Sequence, residues 1–120
     1  MHELAIAESI VRIADVHAAG RRVTKVELRV GHLRQVVPSA LSFGFELVAN
    51  GTAVEGAELV MHAVAPAGRC RSCGEEGDLP ALPLTCGRCA SFDVEVTRGE
   101  ELLVESLELE EKTEEEPALT

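Results

Sequence analysis

A chain of 120 residues suits one compact domain with a small appended unit and excludes a large multidomain enzyme. It carries 11 Lys and Arg residues against 21 Asp and Glu residues, for a net charge of −10. This balance argues against nucleic acid as a partner, because phosphate contacts are made by clustered Lys and Arg. Residues 1–69 are neutral overall, so the whole excess of acid lies in residues 70–120, which indicates two parts with different roles.

The sequence shows no sign of a membrane or secretory segment. No uncharged apolar run approaches the roughly 18 residues of a membrane-spanning helix, so no membrane partner is expected. The start, Met1-His2-Glu3-Leu4, has no basic region of the signal-peptide kind, and a cytoplasmic location is predicted. In that reducing compartment, four cysteines are expected to be metal ligands rather than disulfides.

The predicted elements begin with an amphipathic helix over residues 4–18, whose apolar side chains occupy one half of its surface. Residues 22–30 then alternate with a period of two, which predicts a strand with one wet face. Pro38 suits the first turn of a second helix that runs to about Asn50, and Gly51 ends it.

Two further strands are predicted, over residues 59–65 and 102–109. In the last one Leu102 and Val104 share a phase, but Leu107 and Leu109 lie on the other, so we expect a β-bulge near residues 105–106. The predicted fold class is α+β, with two helices packed on a three-stranded sheet.

Residues 66–99 interrupt this pattern and carry all the cysteines, in two CxxC pairs separated by twelve residues. Cys70, Cys73, Cys86 and Cys89 can converge tetrahedrally, as Zn²⁺ prefers in closed structural sites. Gly74 and Gly87 are expected to help each turn aim its backbone amides at sulfur. Zinc would also supply folding energy that so short a segment lacks. A redox dithiol and an iron–sulfur or purely iron site are the alternatives; the redox dithiol lacks its usual βαβ context.

We therefore predict an inserted, rubredoxin-like zinc ribbon over residues 67–98. Residues 1–66 plus 99–110 would form the α+β domain. Residues 111–120 are acidic and of low complexity, and a disordered tail is expected there.

A second candidate metal site lies at the N-terminus. The α-amine of Met1, the backbone nitrogen of His2 and its imidazole can chelate one ion, and such nitrogen-rich planar sets suit Ni²⁺ and Cu²⁺. The His2 amide is available because the first N–H groups of a helix have no intrahelical acceptor. Glu3 would be a further ligand or a partner of the ligands. The alternative is that Glu3 complements the helix dipole and that His2 is an exposed residue without a ligand role.

These features together resemble the HypA/HybF family of hydrogenase nickel-incorporation proteins. The resemblance spans roughly residues 1–109 and includes the opening Met1-His2-Glu3-Leu4 and the paired CxxC motifs. It also includes these segments in order: 26–31 (VELRVG), 38–46 (PSALSFGFE), 51–52 (GT), 55–57 (EGA), 99–102 (GEEL) and 106–108 (SLE). Gly87 departs from the proline found in many members, and the acidic tail is not part of the pattern.

The resemblance implies a cytoplasmic metallochaperone that is not an enzyme. It would hold transported Ni²⁺ at Met1, His2 and Glu3, and structural Zn²⁺ at the four cysteines. Its partners would be a nickel-handling GTPase of the HypB type and the large subunit of [NiFe]-hydrogenase, and a homodimer is compatible with the sequence. The alternative function is a zinc-ribbon adaptor between proteins that never binds nickel.

Overall fold

The computed structural model describes residues 2–80 and 83–111. The helices are α1 (Glu3–Ala18) and α2 (Pro38–Ala49), and the strands are β1 (Val23–Gly31), β2 (Glu58–Val64), β3 (Ala67–Cys70), β4 (Glu76–Asp78), β5 (Val94–Arg98) and β6 (Leu102–Leu109). A short 3-10 turn, His32–Arg34, follows β1. Among the described residues, neither helix has the length and apolar character that a bilayer crossing requires.

The larger sheet has the strand order β2-β1-β6 and confirms the predicted α+β architecture. β1 runs parallel to β2, through a connection that contains α2, and antiparallel to β6. The predicted bulge is present, because Glu27 pairs with Ser106 while Leu28 pairs with Val104, which leaves Glu105 as the extra residue. Leu107 and Leu109 can therefore pack against the same core as Val104.

Both helices cover one face of this sheet. The centre of the core holds Phe45, Leu41, Leu28 and Val26, each at most 2 % exposed. The apolar half of α1 is wider than the surface that covers it, since Leu4 stays 52 % exposed and Ile13 43 % exposed. The helical period thus predicted correctly which side of α1 faces the core, but it overestimated how many residues of α1 are buried.

A second sheet, with the order β4-β3-β5, carries the cysteine turns. Its strands are short and antiparallel. The chain passes from the larger sheet to the second sheet and back at one closely packed junction, which is formed by Gly31, Pro66 and Gly99. There the Gly31 N–H donates to the Glu101 carbonyl at 2.7 Å, and the Leu33 N–H donates to the Gly99 carbonyl at 2.9 Å.

Candidate metal centres

The four cysteine sulfurs converge in the second sheet, with all Sγ atoms within 4.8 Å of one another. Cys70 and Cys89 lie 3.7 Å apart, and Cys73 and Cys86 lie 3.6 Å apart. Four sulfurs placed tetrahedrally at zinc bond lengths are separated by about 3.8 Å, whereas a disulfide needs about 2.05 Å. The cysteines are therefore free, and their arrangement fits structural zinc.

Two turns with the same backbone pattern carry these cysteines. In the first, the Gly74 N–H donates to the Cys70 carbonyl at 2.9 Å; in the second, the Ala90 N–H donates to the Cys86 carbonyl at 2.9 Å. Both donors follow their cysteine by four residues and have left-handed backbones, with φ of 80° for Gly74 and 64° for Ala90. The two halves of the site are thus built alike, except for the residue type at the strained position.

Backbone N–H groups point at the first sulfur of each pair. The Cys73 N–H lies 3.4 Å from Cys70 Sγ and lowers the pKa of the Cys70 thiol to about 6. The Cys89 N–H likewise lowers the pKa of Cys86. For Cys73, the Glu75 N–H acts in the same direction, but desolvation and the neighbouring sulfurs outweigh it and raise the pKa to about 12. The cluster therefore retains protons without metal, and zinc binding should release them.

Charged side chains connect the two turns at the surface. Arg71 pairs with Asp93 at 2.9 Å, and Arg88 pairs with Glu75 at 3.1 Å. In each pair, an Arg inside one CxxC motif reaches an acid next to the other motif. Because these pairs are exposed, each contributes little stability by itself. They orient the turns rather than hold the site together.

The backbone N–H groups of the second turn point at Cys86 Sγ as predicted, but the turn does not require glycine at position 87. A Cβ added there would meet nothing within 4 Å, and its φ lies outside the left-handed range that favours glycine. The strained position of the second turn is Ala90 instead. The sequence does not reveal the positive φ of Ala90, because alanine is not typical of left-handed positions. Ala90 does, however, occupy the same place in the second turn as Gly74 in the first.

Replacing Ala90 with glycine is therefore expected to tighten zinc retention a few-fold. The change removes about 1–2 kcal/mol of left-handed strain and adds about 0.5–1 kcal/mol of glycine entropy cost. Gly74→Ala should weaken zinc retention by a similar few-fold factor, since it introduces the same strain in the first turn and recovers the same glycine entropy. Gly87→Ala is the matched control and should change nothing. Competition with a chromogenic chelator measures all three, and equal zinc affinities for the Ala90 and Gly74 variants would contradict this account.

At the N-terminus, the structure describes His2 and Glu3, whereas Met1 lies outside the described residues. His2 is the exposed N-cap of α1, and its carbonyl accepts the Ile6 N–H at 3.1 Å. Glu3 is half-buried, and its Oε2 accepts the Val37 N–H at 2.9 Å. This hydrogen bond holds the pKa of the Glu3 carboxyl below its usual value. The sequence predicts Glu3 near a metal but contains no local signal of its contact with Val37.

The fold and the sulfur cluster define the class of protein: a small α+β metal-binding protein with a zinc ribbon. The family model described as "Hydrogenase/urease nickel incorporation, metallochaperone, hypA" matches residues 1–109. The chain belongs to this HypA family of nickel-incorporation metallochaperones, which acts in hydrogenase maturation.

Its similarity to curated relatives extends over most of the chain. The hydrogenase maturation factor HypA of Geobacter sp. (strain M21) is 46 % identical over 110 residues, which is 92 % of this chain and 100 % of the relative. The HypA of Desulfitobacterium hafniense (strain DSM 10664 / DCB-2) is 40 % identical over 114 residues, with 92 % and 100 % coverage. No catalytic activity is named for these relatives.

The solved structures show the same fold. The solution structure of the Ni metallochaperone HypA from Helicobacter pylori superposes with a TM-score of 0.69 at 24 % identity. The superposition covers 93 % of this chain and 100 % of that one. The family resemblance noted in the sequence is confirmed by the family model and the curated relatives, and the solved structure confirms the fold.

Proposed function

We propose that this protein binds Ni²⁺ at its N-terminus and helps to insert it into the large subunit of [NiFe]-hydrogenase. The ligands would be the Met1 α-amine with the backbone nitrogen and imidazole of His2, and Glu3 completes the site as a ligand or as a partner of the ligands. Zn²⁺ would be held by Cys70, Cys73, Cys86 and Cys89. Nickel is here the cargo, and zinc the resident structural ion.

One observation carries the nickel site: His2 is exposed and lies immediately before the first turn of α1. Its N–H precedes the hydrogen-bonded ladder of the helix and has no intrahelical acceptor, so a metal can replace that proton without breaking the helix. The exposed imidazole leaves room for a donor or a receiver of the ion to approach. A transferable site needs this access, whereas four sulfur ligands would leave a bound ion no open coordination position.

The partners follow from the cargo. A nickel-handling GTPase of the HypB type would cooperate with the chain, and the hydrogenase large subunit would receive the ion. The relatives named as hydrogenase maturation factors support a hydrogenase over a urease as the served enzyme. A homodimer is compatible with this role.

We further propose a division of labour along the chain. Residues 1–66 plus 99–110 form the nickel-binding domain, and residues 67–98 form the zinc ribbon. Two separate three-stranded sheets support this division. Four free cysteines suit the reducing cytoplasm, and the acidic residues 112–120 lie outside the described part of the chain.

The variant His2→Ala should abolish stoichiometric Ni²⁺ binding and leave the zinc content unchanged, because it removes the imidazole and touches no cysteine. Equilibrium dialysis followed by metal analysis measures both ions at once. His17→Ala is the control, since His17 is exposed near the other end of the same helix, about 20 Å away. Full nickel binding by His2→Ala would refute the proposed site.

The same experiment separates this proposal from the zinc-ribbon adaptor. An adaptor predicts no stoichiometric nickel binding by the unaltered protein and no effect of His2→Ala. Family membership over residues 1–109 supports the metallochaperone, and the acidic ribbon half makes nucleic acid a poor partner for either function.

A further inference from the structure

The carboxylate of Glu3 already has a partner in the fold. Its Oε2 accepts the N–H of Val37 at 2.9 Å, although the two residues are 34 positions apart. Val37 is the N-cap of α2, and its apolar side chain has no oxygen with which to cap the helix. The carboxylate therefore lies at the positive end of α2, where a negative charge is favoured.

An apolar contact reinforces this connection between the two helix starts. Gly44 of α2 is buried, and a Cβ added to it would lie 3.5 Å from the Leu4 Cα and 3.6 Å from the Ala7 Cβ. The first turns of α1 thus rest closely on the backbone of α2. Together, the polar and the apolar contacts fix the backbone that follows His2.

We propose that Glu3 is a positioning and specificity-determining residue whose carboxylate stays on Val37 and outside the ligand set of the metal. This inference rests on the proposed nickel site and decides between the two roles left open for Glu3. Moving the carboxylate to a metal would leave the Val37 N–H without this acceptor and would remove the polar one of the two contacts that hold the start of α1 on α2. The proposed metal ligands are then nitrogen atoms only, from the Met1 amine and from the backbone and imidazole of His2.

A nitrogen-only set has a chemical consequence. Ni²⁺ and Cu²⁺ favour planar sets of amine, amide and imidazole nitrogens, whereas carboxylate oxygen broadens the choice toward Zn²⁺ and harder ions. Because Oε2 is held at the start of α2, the Glu3 carboxylate would not join the ligands, and this would make the N-terminal site selective for Ni²⁺ and Cu²⁺. Selectivity matters in a chain whose ribbon also binds a divalent ion.

The contact itself is tested by amide hydrogen exchange of Val37. In the metal-free N-terminal site, Glu3→Ala should accelerate this exchange by about tenfold or more, since a hydrogen bond to a charged acceptor is lost. Glu3→Gln retains an oxygen acceptor and should keep most of the protection. Glu8→Ala, which removes an exposed acid from the same helix, is the control.

The decisive comparison adds Ni²⁺ to the unaltered protein. The inference predicts that Val37 protection persists at nickel saturation and that Glu3→Gln retains nickel binding. Loss of Val37 protection on nickel binding would overturn it, because the carboxylate would then have moved to the metal. Loss of nickel by Glu3→Gln as complete as in His2→Ala would overturn it too.

Selectivity is tested without altering Glu3. Val37→Pro removes the N–H donor at a residue whose φ of −87° is near the proline range. It should lower the preference for Ni²⁺ over added Zn²⁺ about tenfold, which is the size of effect that outer contacts of metal sites have, because the released Glu3 carboxylate could then supply an oxygen ligand. An unchanged preference in a folded Val37→Pro protein would contradict the inference.

An unaltered protein that binds no Ni²⁺ would instead refute the proposed function. The hydrogen exchange of Val37 would still show whether its contact with Glu3 exists.

Discussion

Gly31→Ala is expected to lower the free energy of unfolding by about 3 kcal/mol or more. This is the upper end of the range for substitutions that add atoms to a well-packed core. A Cβ at residue 31 would lie 2.0 Å from the Gly99 carbonyl oxygen and 2.6 Å from the Glu100 nitrogen. Both are backbone atoms, so no side-chain rotation can relieve the clash. The end of β1 would have to separate from the chain that returns from the ribbon, and the Gly31 hydrogen bond to Glu101 would be lost.

Gly44→Ala is the matched control for this prediction. Gly44 is also buried, but its added methyl would meet atoms at 3.5–3.6 Å, which is ordinary contact. Removing a glycine from a helix interior should stabilise the protein by roughly 0.5–1 kcal/mol. Urea unfolding measures the free energy of unfolding of both variants. Equal values for Gly31→Ala and Gly44→Ala would contradict the close backbone contact between Gly31 and Gly99.

Removing zinc is expected to unfold the ribbon while the α+β unit stays folded. The core cluster of the described residues draws no member from residues 67–98, so the ribbon gains little from it. Structural zinc contributes about 10–16 kcal/mol of apparent binding free energy in comparable small sites, which a segment of this size cannot replace by burial. Cys86→Ser should have the same effect, because Cys86 is one of the two buried sulfurs.

Hydrogen exchange resolves the two parts in one experiment. After chelation, the amides of β3 and β5 should exchange freely, and those of β1 should keep their protection. Chelated protein that retains full protection in β3 would show that the ribbon does not depend on metal. Loss of protection in β1 to the same degree would show that the two sheets unfold as one unit.

The sequence predicted the larger sheet well because each of its elements has a strong local period. The phase slip between Val104 and Leu107 even located the bulge, since burial of both residues on one face requires an extra residue between them. The helix boundaries were also predicted closely, because Pro38 and Gly51 mark the ends of α2.

The ribbon strands could not be predicted in the same way. β3 (Ala67–Cys70) has no apolar alternation, and its place is set by close backbone approach. A Cβ on Gly68 would lie 2.4 Å from the Glu95 carbonyl oxygen. The bond between Glu3 and Val37 was equally invisible, because a contact between residues 34 positions apart depends on the packing of two helices. Local patterns carry no information about either.

The proposed nickel site requires a free N-terminal amine and the neighbouring imidazole to bind the ion together. An optical Ni²⁺ titration should compare tag-free protein with protein whose terminal amine has been acetylated. For the free amine we expect the absorption band of a planar nitrogen-ligated Ni²⁺ complex at one equivalent. For the acetylated form we expect no such band, with equal zinc content in both proteins. The same band and affinity in the acetylated protein would rule out the proposed ligand set.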